Sequence, residues 1–212
     1  MNGKHVVVTG GRGGLGRGVV ELLGSRGAIV HVLDVPDVDA TNEAQVAAFY
    51  AALPACWASI QLIGGFAMAK VGDTSLADFE KQWRLNVATC FLACREAVRA
   101  IRRTAGGGGG RIVNVAARPA VQPSTGMIAY ATAKAGVAAI TQHLAAEVVG
   151  EGIFVNAVLP SIIDTPANRA AMPNADFATW PKPAELAETI AFLASPHNAT
   201  TSGALVPVYG RA

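Results

Sequence analysis

The fold class that the sequence predicts is α/β, with a single doubly wound parallel sheet that is shortened after its second strand. Short β-branched runs alternate with longer Ala- and Leu-rich segments of helical period, which is the pattern of βαβ units. A glycine-rich turn joins the first run to the first helical segment. The 212 residues are enough for one domain with a sizeable core, so we expect residues 1–212 to form that single domain.

The candidate strands are apolar almost throughout, as expected for a sheet that helices cover on both faces. They are Lys4–Val8, Ala28–Leu33, Ala58–Ile63, Arg111–Ala116, Ile153–Val158 and Ala204–Val208. The candidate helices are Gly14–Leu23, Glu43–Leu53, Leu76–Arg103, Met127–Val149 and Pro183–Ala194. Ser75 and Asp78 have the spacing of a capping box, which predicts the start of the third helix.

The connection after the second strand is unusually short. Only the nine residues 34–42 separate Leu33 from the helix that begins near Glu43. A parallel neighbour needs a crossover of roughly a dozen residues or more. The spacing therefore predicts that one strand–helix pair is missing or vestigial here, and that this edge of the sheet is thin.

Composition excludes several classes of protein. The net charge is +2, from 17 Lys and Arg against 15 Asp and Glu, so nucleic acid is not expected as a partner. The mean hydropathy of +0.36 comes mostly from Ala and Val, and no apolar run approaches the roughly 18 residues of a membrane span. The three cysteines and four histidines have no metal-ligand spacing, and no signal peptide is evident. We therefore expect a cytoplasmic protein with a small-molecule substrate, no membrane partner and no metal.

The glycine-rich turn is the first candidate site. Thr9-Gly10-Gly11-Arg12-Gly13-Gly14-Leu15-Gly16 follows the first strand directly and opens a helix. Glycines there let the backbone approach a pyrophosphate, and the helix N-terminus supplies oriented N–H groups. The candidate contacts of a dinucleotide are Gly10, Arg12, Gly14, Leu15 and Gly16.

Asp34 ends the second strand, where a carboxylate can accept both hydroxyls of an adenosine ribose. The same carboxylate would repel a 2′-phosphate, so NAD(H) is preferred over NADP(H). No Lys or Arg follows it in Val35-Pro36-Asp37. Arg12 in the turn could partly reverse that preference, so NADP(H) stays possible.

Tyr130 and Lys134 form the second candidate site. At spacing i, i+4 their side chains leave the same face of a helix. A nearby ammonium favours the tyrosinate and lowers the phenol pKa, which would make Tyr130 a usable proton donor near neutral pH.

The order of these segments closely resembles the short-chain dehydrogenase/reductase family over essentially the whole chain. The same order includes Asn86, Asn114 and Asn156-Ala157-Val158-Leu159-Pro160. The resemblance implies a Rossmann-type sheet, a nicotinamide cofactor and hydride transfer. It implies that Tyr130 exchanges the proton, that Lys134 holds the nicotinamide ribose and tunes Tyr130, and that Asn86 positions a relay water.

The resemblance also implies further cofactor contacts. Gly64 and Gly65 fall where the family's N-N-A-G segment passes the adenosine, although Leu62 and Ile63 replace its asparagines. Asp39 corresponds to an adenine-contacting aspartate, and Ser161 replaces the usual glycine after the proline. The remaining cofactor residues that the resemblance implies are Asn114, Pro160, Ile163 and Thr165.

One departure from the family pattern matters for the chemistry. Family members place a serine thirteen residues before the tyrosine, as a hydrogen-bond donor to the substrate carbonyl, and this chain has Ala117 there. Losing such a donor costs about 10²–10³ in rate. Three interpretations are open: a substrate that needs no such donor, a donor borrowed from Gln122, Ser124 or Thr125, or an inactive enzyme.

The segment Asp164–Trp180 resembles the corresponding part of quinonoid dihydropteridine reductases, a branch that also has alanine in place of the serine. A quinonoid dihydropterin is therefore the best single substrate, since an electron-poor conjugated ring needs less oxyanion stabilisation than a ketone. The alternatives are a general ketone/alcohol oxidoreductase and a non-catalytic NAD-binding protein. The substrate loop is expected at about residues 161–182, and the candidate substrate contacts are Ala117, Arg118 and Trp180.

The helices predicted at Leu76–Arg103 and Met127–Val149 carry broad Ala-rich faces. The resemblance suggests that these faces pair across a two-fold axis, giving a homodimer or homotetramer. Burial of the same faces within one subunit is the alternative.

Overall fold

The computed structural model describes residues 1–104, 106 and 108–211. Its strands are β1 (His5–Thr9), β2 (Ile29–Leu33), β3 (Ala58–Gln61), β4 (Gly110–Val115), β5 (Ile153–Pro160) and β6 (Leu205–Val208). They form one six-stranded sheet in the order β2-β1-β3-β4-β5-β6, and every pairing is parallel. The predicted α/β class and parallel sheet are confirmed.

The helices are α1 (Gly14–Ser25), α2 (Glu43–Ala51), α3 (Leu76–Trp83), α4 (Thr89–Thr104), α5 (Ile128–Val148), α6 (Pro166–Ala171) and α7 (Pro183–Ala194). Short 3-10 turns cover Val71–Asp73, Arg118–Ala120, Val149–Glu151 and Phe177–Thr179. Within the described part of the chain, no helix combines the length and apolarity that crossing a bilayer requires.

The long helix predicted at Leu76–Arg103 is interrupted. A π-helical turn, Arg84–Ala88, joins α3 to α4 and inserts its extra residue at this point. The predicted start is confirmed, because the Ser75 Oγ accepts a hydrogen bond from the Asp78 N–H at 3.1 Å.

Two apolar clusters cover the two faces of the sheet, and alternate residues of each strand serve one or the other. Val6 and Val8 of β1 point to the side that carries α1 and α7, whereas Val7 points to the side of α2, α4 and α5. Val6, Val7 and Val8 are each fully buried. The continuous apolar strands of the sequence therefore reflect burial on both faces.

The shortened edge is confirmed. β2 is the outermost strand beside β1, and α2 leads from it to β3 on the far side of β1. In the described residues no further strand extends the sheet beyond β2. The register pairs Thr9 with Leu33, so the glycine turn and the residues after β2 meet at one corner.

Candidate active site

The glycine turn folds tightly between β1 and α1. Gly10 has φ +69°, and a Cβ on it would lie 3.2 Å from the Ile63 backbone nitrogen. A Cβ on Gly16 would lie 2.1 Å from the Gly10 carbonyl oxygen, so α1 packs directly on the turn. Helix α1 begins after Gly13 without a side-chain cap and without an acidic residue in its first turn. These uncapped N–H groups and the positive end of the helix dipole fit an anionic group such as a pyrophosphate.

Asp34 is oriented by backbone groups at the corner between β1 and β2. Its carboxylate oxygens accept hydrogen bonds from the Arg12 N–H and the Val35 N–H, each at 2.9 Å. These bonds hold the carboxylate of the half-buried Asp34 against the glycine turn, and its predicted ribose contact stays a prediction.

The turn also meets a segment that is distant in sequence. The methyl group of Thr165 lies 3.9 Å from where a Cβ on Gly14 would be. Thr165 caps α6 by accepting from the Asn168 N–H at 3.3 Å, while the Asn168 amide donates to the Ile163 carbonyl at 2.8 Å. The fold therefore brings together, from two distant segments, residues that the sequence assigns to one dinucleotide site.

Gly64 lies beside two other predicted site residues, Asn86 and Lys134. A Cβ on Gly64 would lie 2.6 Å from Asn86 Oδ1 and 3.2 Å from Lys134 Nζ. Asn86, in the π turn, is almost fully buried; its Oδ1 accepts from the Gly65 N–H at 3.3 Å and its Nδ2 donates to the Gly65 carbonyl at 3.0 Å. Asn86 thus fixes the backbone of this segment, and its predicted role with a relay water stays a prediction.

Tyr130 and Lys134 lie on the first turns of α5, with Lys134 Nζ 6.0 Å from the centroid of the Tyr130 ring. Lys134 is buried and donates to the Val115 carbonyl at 2.8 Å. Burial raises the pKa of Tyr130 to about 12 and lowers the pKa of Lys134 to about 8. The expectation that Lys134 lowers the pKa of the Tyr130 phenol is wrong for the protein without a bound ligand, because desolvation dominates the pKa of both groups.

Phe66 follows Gly64 and Gly65 in the chain and lies beside Tyr130 in the structure. Its ring packs edge-on against the ring of Tyr130, with centroids 4.9 Å apart and an interplanar angle of 85°. The Phe66 side chain is nevertheless 60% exposed. An apolar ring thus stands beside the phenol and still presents surface to a ligand.

Ala117 is 4% exposed and lies just after β4, immediately before the 3-10 turn Arg118–Ala120. The proposed substitute donors Gln122, Ser124 and Thr125 are exposed, and the Oε1 of Gln122 accepts from Arg118 Nε at 2.7 Å. The Arg118 guanidinium also lies over the ring of Tyr209, 4.9 Å from its centroid. Arg118 is thus held between Gln122 and Tyr209.

Asn114 is not positioned for a side-chain contact with a cofactor. It is fully buried, its Nδ2 donates to Thr141 Oγ1 at 2.9 Å, and its Oδ1 accepts from the Cys94 thiol at 3.3 Å. The side chain therefore joins β4 to α4 and α5, and its predicted cofactor contact is corrected to a structural role.

Trp180 is also corrected. It is 6% exposed and its ring packs 5.0 Å from that of Phe177, inside the loop that was predicted to hold substrate. The C-terminal segment covers this loop, since the Arg211 N–H donates to the Thr179 carbonyl at 2.8 Å. With only 6% of its surface exposed, Trp180 has no free face for stacking on a substrate.

Two further predicted cofactor residues have local roles. The Asp39 carboxylate is exposed and accepts from both the N–H and the hydroxyl of Thr41 at 2.8 Å. Those bonds hold the pKa of Asp39 below its usual value. The Leu15 side chain is partly buried and packs against the apolar cluster under α1 and α7. The predicted adenine contact of Asp39 stays a prediction.

Comparisons with known proteins agree on one family. Residues 2–210 match the family model described as enoyl-(acyl carrier protein) reductase. An uncharacterized short-chain type dehydrogenase/reductase of Sinorhizobium fredii is 29% identical over 98% of this chain, which spans only 43% of that relative. The cis-4-hydroxycyclohexanecarboxylate dehydrogenase of Sinomonas cyclohexanicum is 30% identical, over 98% of this chain and 95% of that enzyme. The crystal structure of the Brucella melitensis 3-ketoacyl-(acyl-carrier-protein) reductase complexed with NADH superposes with a TM-score of 0.88 at 25% identity, over 99% of this chain and 98% of that one.

Proposed function

We propose a specific reaction for this chain, which belongs to the short-chain dehydrogenase/reductase family of NAD(P)-dependent oxidoreductases. The chain uses NADH to reduce a flat conjugated substrate, and a quinonoid dihydropterin is the substrate that fits best. The proposal has three parts: the coenzyme, the proton donor and the substrate. Each is supported by a different part of the site.

The coenzyme part rests on the corner between β1, β2 and α1. The uncapped start of α1 would hold the pyrophosphate, and the Asp34 carboxylate would accept the ribose hydroxyls. Thr165, beside Gly14, and Lys134 would lie toward the nicotinamide end. When bound there, NADH supplies a hydride. Asp34 supports a preference for NAD(H), since its charge opposes a 2′-phosphate.

Tyr130 would supply the proton. With a pKa raised to about 12 by burial, its phenol is protonated at neutral pH and can donate its O–H to a reduced product. Lys134, whose pKa is about 8, is mostly charged at pH 7 and would hold the nicotinamide ribose while its charge favours the tyrosinate left behind. A protonated phenol suits reduction better than alcohol oxidation.

The observation that carries the substrate part is the exposed ring of Phe66 packed against Tyr130. A flat heterocycle can pack on this apolar ring within reach of the proton donor, as aromatic groups favour stacked or edge-on contacts. Ala117 agrees with this substrate class, because a ring that is already electron-poor depends less on a hydrogen-bond donor at that position.

A general ketone reductase or alcohol dehydrogenase is the second candidate function. Asn86 favours this function, because an asparagine at this position matches the general family pattern and not that of the dihydropteridine reductase branch. Asn86 also lies with Lys134 around Gly64. The relative from Sinomonas cyclohexanicum, named for a hydroxycyclohexanecarboxylate, would make a cyclic ketone the natural probe.

The test is NADH oxidation with a quinonoid dihydropterin, a cyclic ketone and a quinone. We expect the highest kcat/KM with the dihydropterin, with one tetrahydropterin formed for each NADH oxidised. A higher kcat/KM with the cyclic ketone would establish the second candidate instead. Binding of NADH without turnover of any substrate would identify a non-catalytic binding protein and contradict both enzymes.

The proposal extends to assembly through α4 and α5. A groove of about 420 Å³ runs between these helices and is lined by Phe91, Val98, Ile140 and Leu144 together with Arg95 and Arg99. Phe91 is 50% exposed there, which suits burial against a second copy. We include a homodimer and a cytoplasmic location in the proposal; the second is supported by three buried cysteines that remain free thiols.

A further inference from the structure

Arg12 places a cation at the corner where coenzyme choice would be made. Its Nη1 donates to the Val35 carbonyl at 2.6 Å and lies 3.5 Å from the Asp34 carbonyl oxygen. Its backbone N–H binds the Asp34 carboxylate directly. The guanidinium therefore lies beside the residues that follow the ribose-binding carboxylate, where it could attract a 2′-phosphate.

The charge of Arg12 is already engaged by another carboxylate. Arg12 Nη2 forms an ion pair with Asp37, whose hydrogen bond raises the pKa of the guanidinium. The turn after β2 delivers Asp37 to this position, because the N–H groups of Asp37 and Val38 both donate to the Asp34 carbonyl, at 3.1 and 3.0 Å. The chain thus folds a second carboxylate back onto the glycine turn.

We propose that Asp37 is a specificity-determining residue that acts with Asp34: by binding Arg12 it withholds a cation from the 2′-phosphate and so favours NADH over NADPH. This rests on the proposed function, in which the coenzyme binds at this corner. The net charge of the Asp34, Asp37 and Arg12 side chains beside the ribose is −1. Without the Asp37 charge the three groups would be neutral overall, and a 2′-phosphate would be opposed less strongly.

The pair can be altered without endangering the fold. The side chains of Arg12 and Asp37 are 48% and 62% exposed, and an ion pair between groups so exposed contributes little to stability. Arg26 and Glu188 form a comparable exposed pair between α1 and α7, with 39% and 57% exposure. Glu188→Gln therefore changes the net charge as Asp37→Asn does, at a site outside the coenzyme corner.

The experiment is calorimetric measurement of the dissociation constants of NADH and NADPH for wild type, Asp37→Asn, Arg12→Gln, the double variant and Glu188→Gln. We expect Asp37→Asn to lower the ratio Kd(NADPH)/Kd(NADH) about tenfold, as one charge removed near a phosphate implies. In the double variant the ratio should return to the wild-type value, and Glu188→Gln should leave the ratio unchanged.

Two kinds of result would overturn the proposal. Asp37 would be shown not to act through Arg12 by any of three results: an unchanged ratio in Asp37→Asn, an equal fall of the ratio in Glu188→Gln, or a fall that persists in the double variant. NADH binding by wild type would still leave the proposed function intact. Wild type that binds neither coenzyme would overturn the proposed function as well.

Discussion

At the scale of single residues, the chemistry depends on how burial changes Tyr130 and Lys134. Desolvation raises the pKa of the phenol and lowers that of the ammonium, so both groups are shifted toward their neutral forms. Lys134 is a base whose pKa falls from 10.5 to about 8 on folding. The unfolded chain therefore binds more protons between pH 8 and 10.5, and this lysine destabilises the fold fully below pH 8 and progressively less above it.

The same shift predicts a pH dependence for coenzyme use. Because the lysine cation is lost as the pH rises through about 8, kcat/KM for NADH should fall above that pH, approaching tenfold per pH unit. A pH profile of initial rates at saturating substrate measures it. Lys134→Met should give a low rate that does not fall further above pH 8. A wild-type profile that is flat to pH 10 would contradict the role of the cation.

Ala117→Ser should raise ketone reduction, since it restores a hydroxyl donor where the family places one. The expected gain in kcat/KM for a cyclic ketone is about 10-fold or more, a part of the 10²–10³ that such donors contribute. Turnover of the dihydropterin should change much less. Equal effects on both substrates, or no effect on the ketone, would show that Ala117 does not limit carbonyl reduction.

Spacing identifies the candidates whose proposed role depends on local sequence. Asp34 follows from the end of a strand, and Tyr130 with Lys134 from the helical repeat. Asn114 and Trp180 are buried by tertiary packing that spacing does not reveal, Asn114 against Thr141 and Trp180 inside the loop that Arg211 binds through the Thr179 carbonyl. The ion pair of Arg12 with Asp37 was equally invisible, since it needs the turn after β2.

At the scale of elements, two glycines of α1 offer a matched comparison. A Cβ on Gly16 would lie 2.1 Å from the Gly10 carbonyl oxygen, whereas a Cβ on Gly18 would meet nothing within 4 Å. Gly16→Ala should cost about 1–3 kcal/mol of unfolding free energy and weaken NADH binding, because the helix must move off the turn. Gly18→Ala should stabilise the fold by up to about 1 kcal/mol.

Thermal unfolding and NADH titration of the two variants measure these effects. If Gly16→Ala bound NADH as tightly as Gly18→Ala does, close packing of the helix on the turn would not be required for the coenzyme site.

Element boundaries were predicted where capping or β-branched runs mark them. The start of α3 follows from Ser75, and the shortened connection from the spacing after Leu33. The π turn Arg84–Ala88 was not predicted because no proline or glycine marks it in the sequence. Helix α6 was missed because its six residues are too few to show a repeat.

At the scale of the whole molecule, the proposed dimer depends on the groove between α4 and α5. Phe91→Glu should convert dimers to monomers, because a charge would be buried in the interface, and light scattering would measure the mass. Phe192 on α7 is also 50% exposed but lies outside the groove, so Phe192→Glu is the control. A dimer that survives Phe91→Glu would contradict pairing through this face.

The central claim is that Tyr130 gives a proton to the product of hydride transfer in a site that lacks the family's serine. The most direct measurement is kcat for quinonoid dihydropterin reduction by NADH in wild type and Tyr130→Phe, with NADH binding followed by fluorescence. We predict a fall of at least about 100-fold in kcat, with NADH still bound, because the phenol O–H is the only group removed. A Tyr130→Phe enzyme that turns over at the wild-type rate would contradict the account.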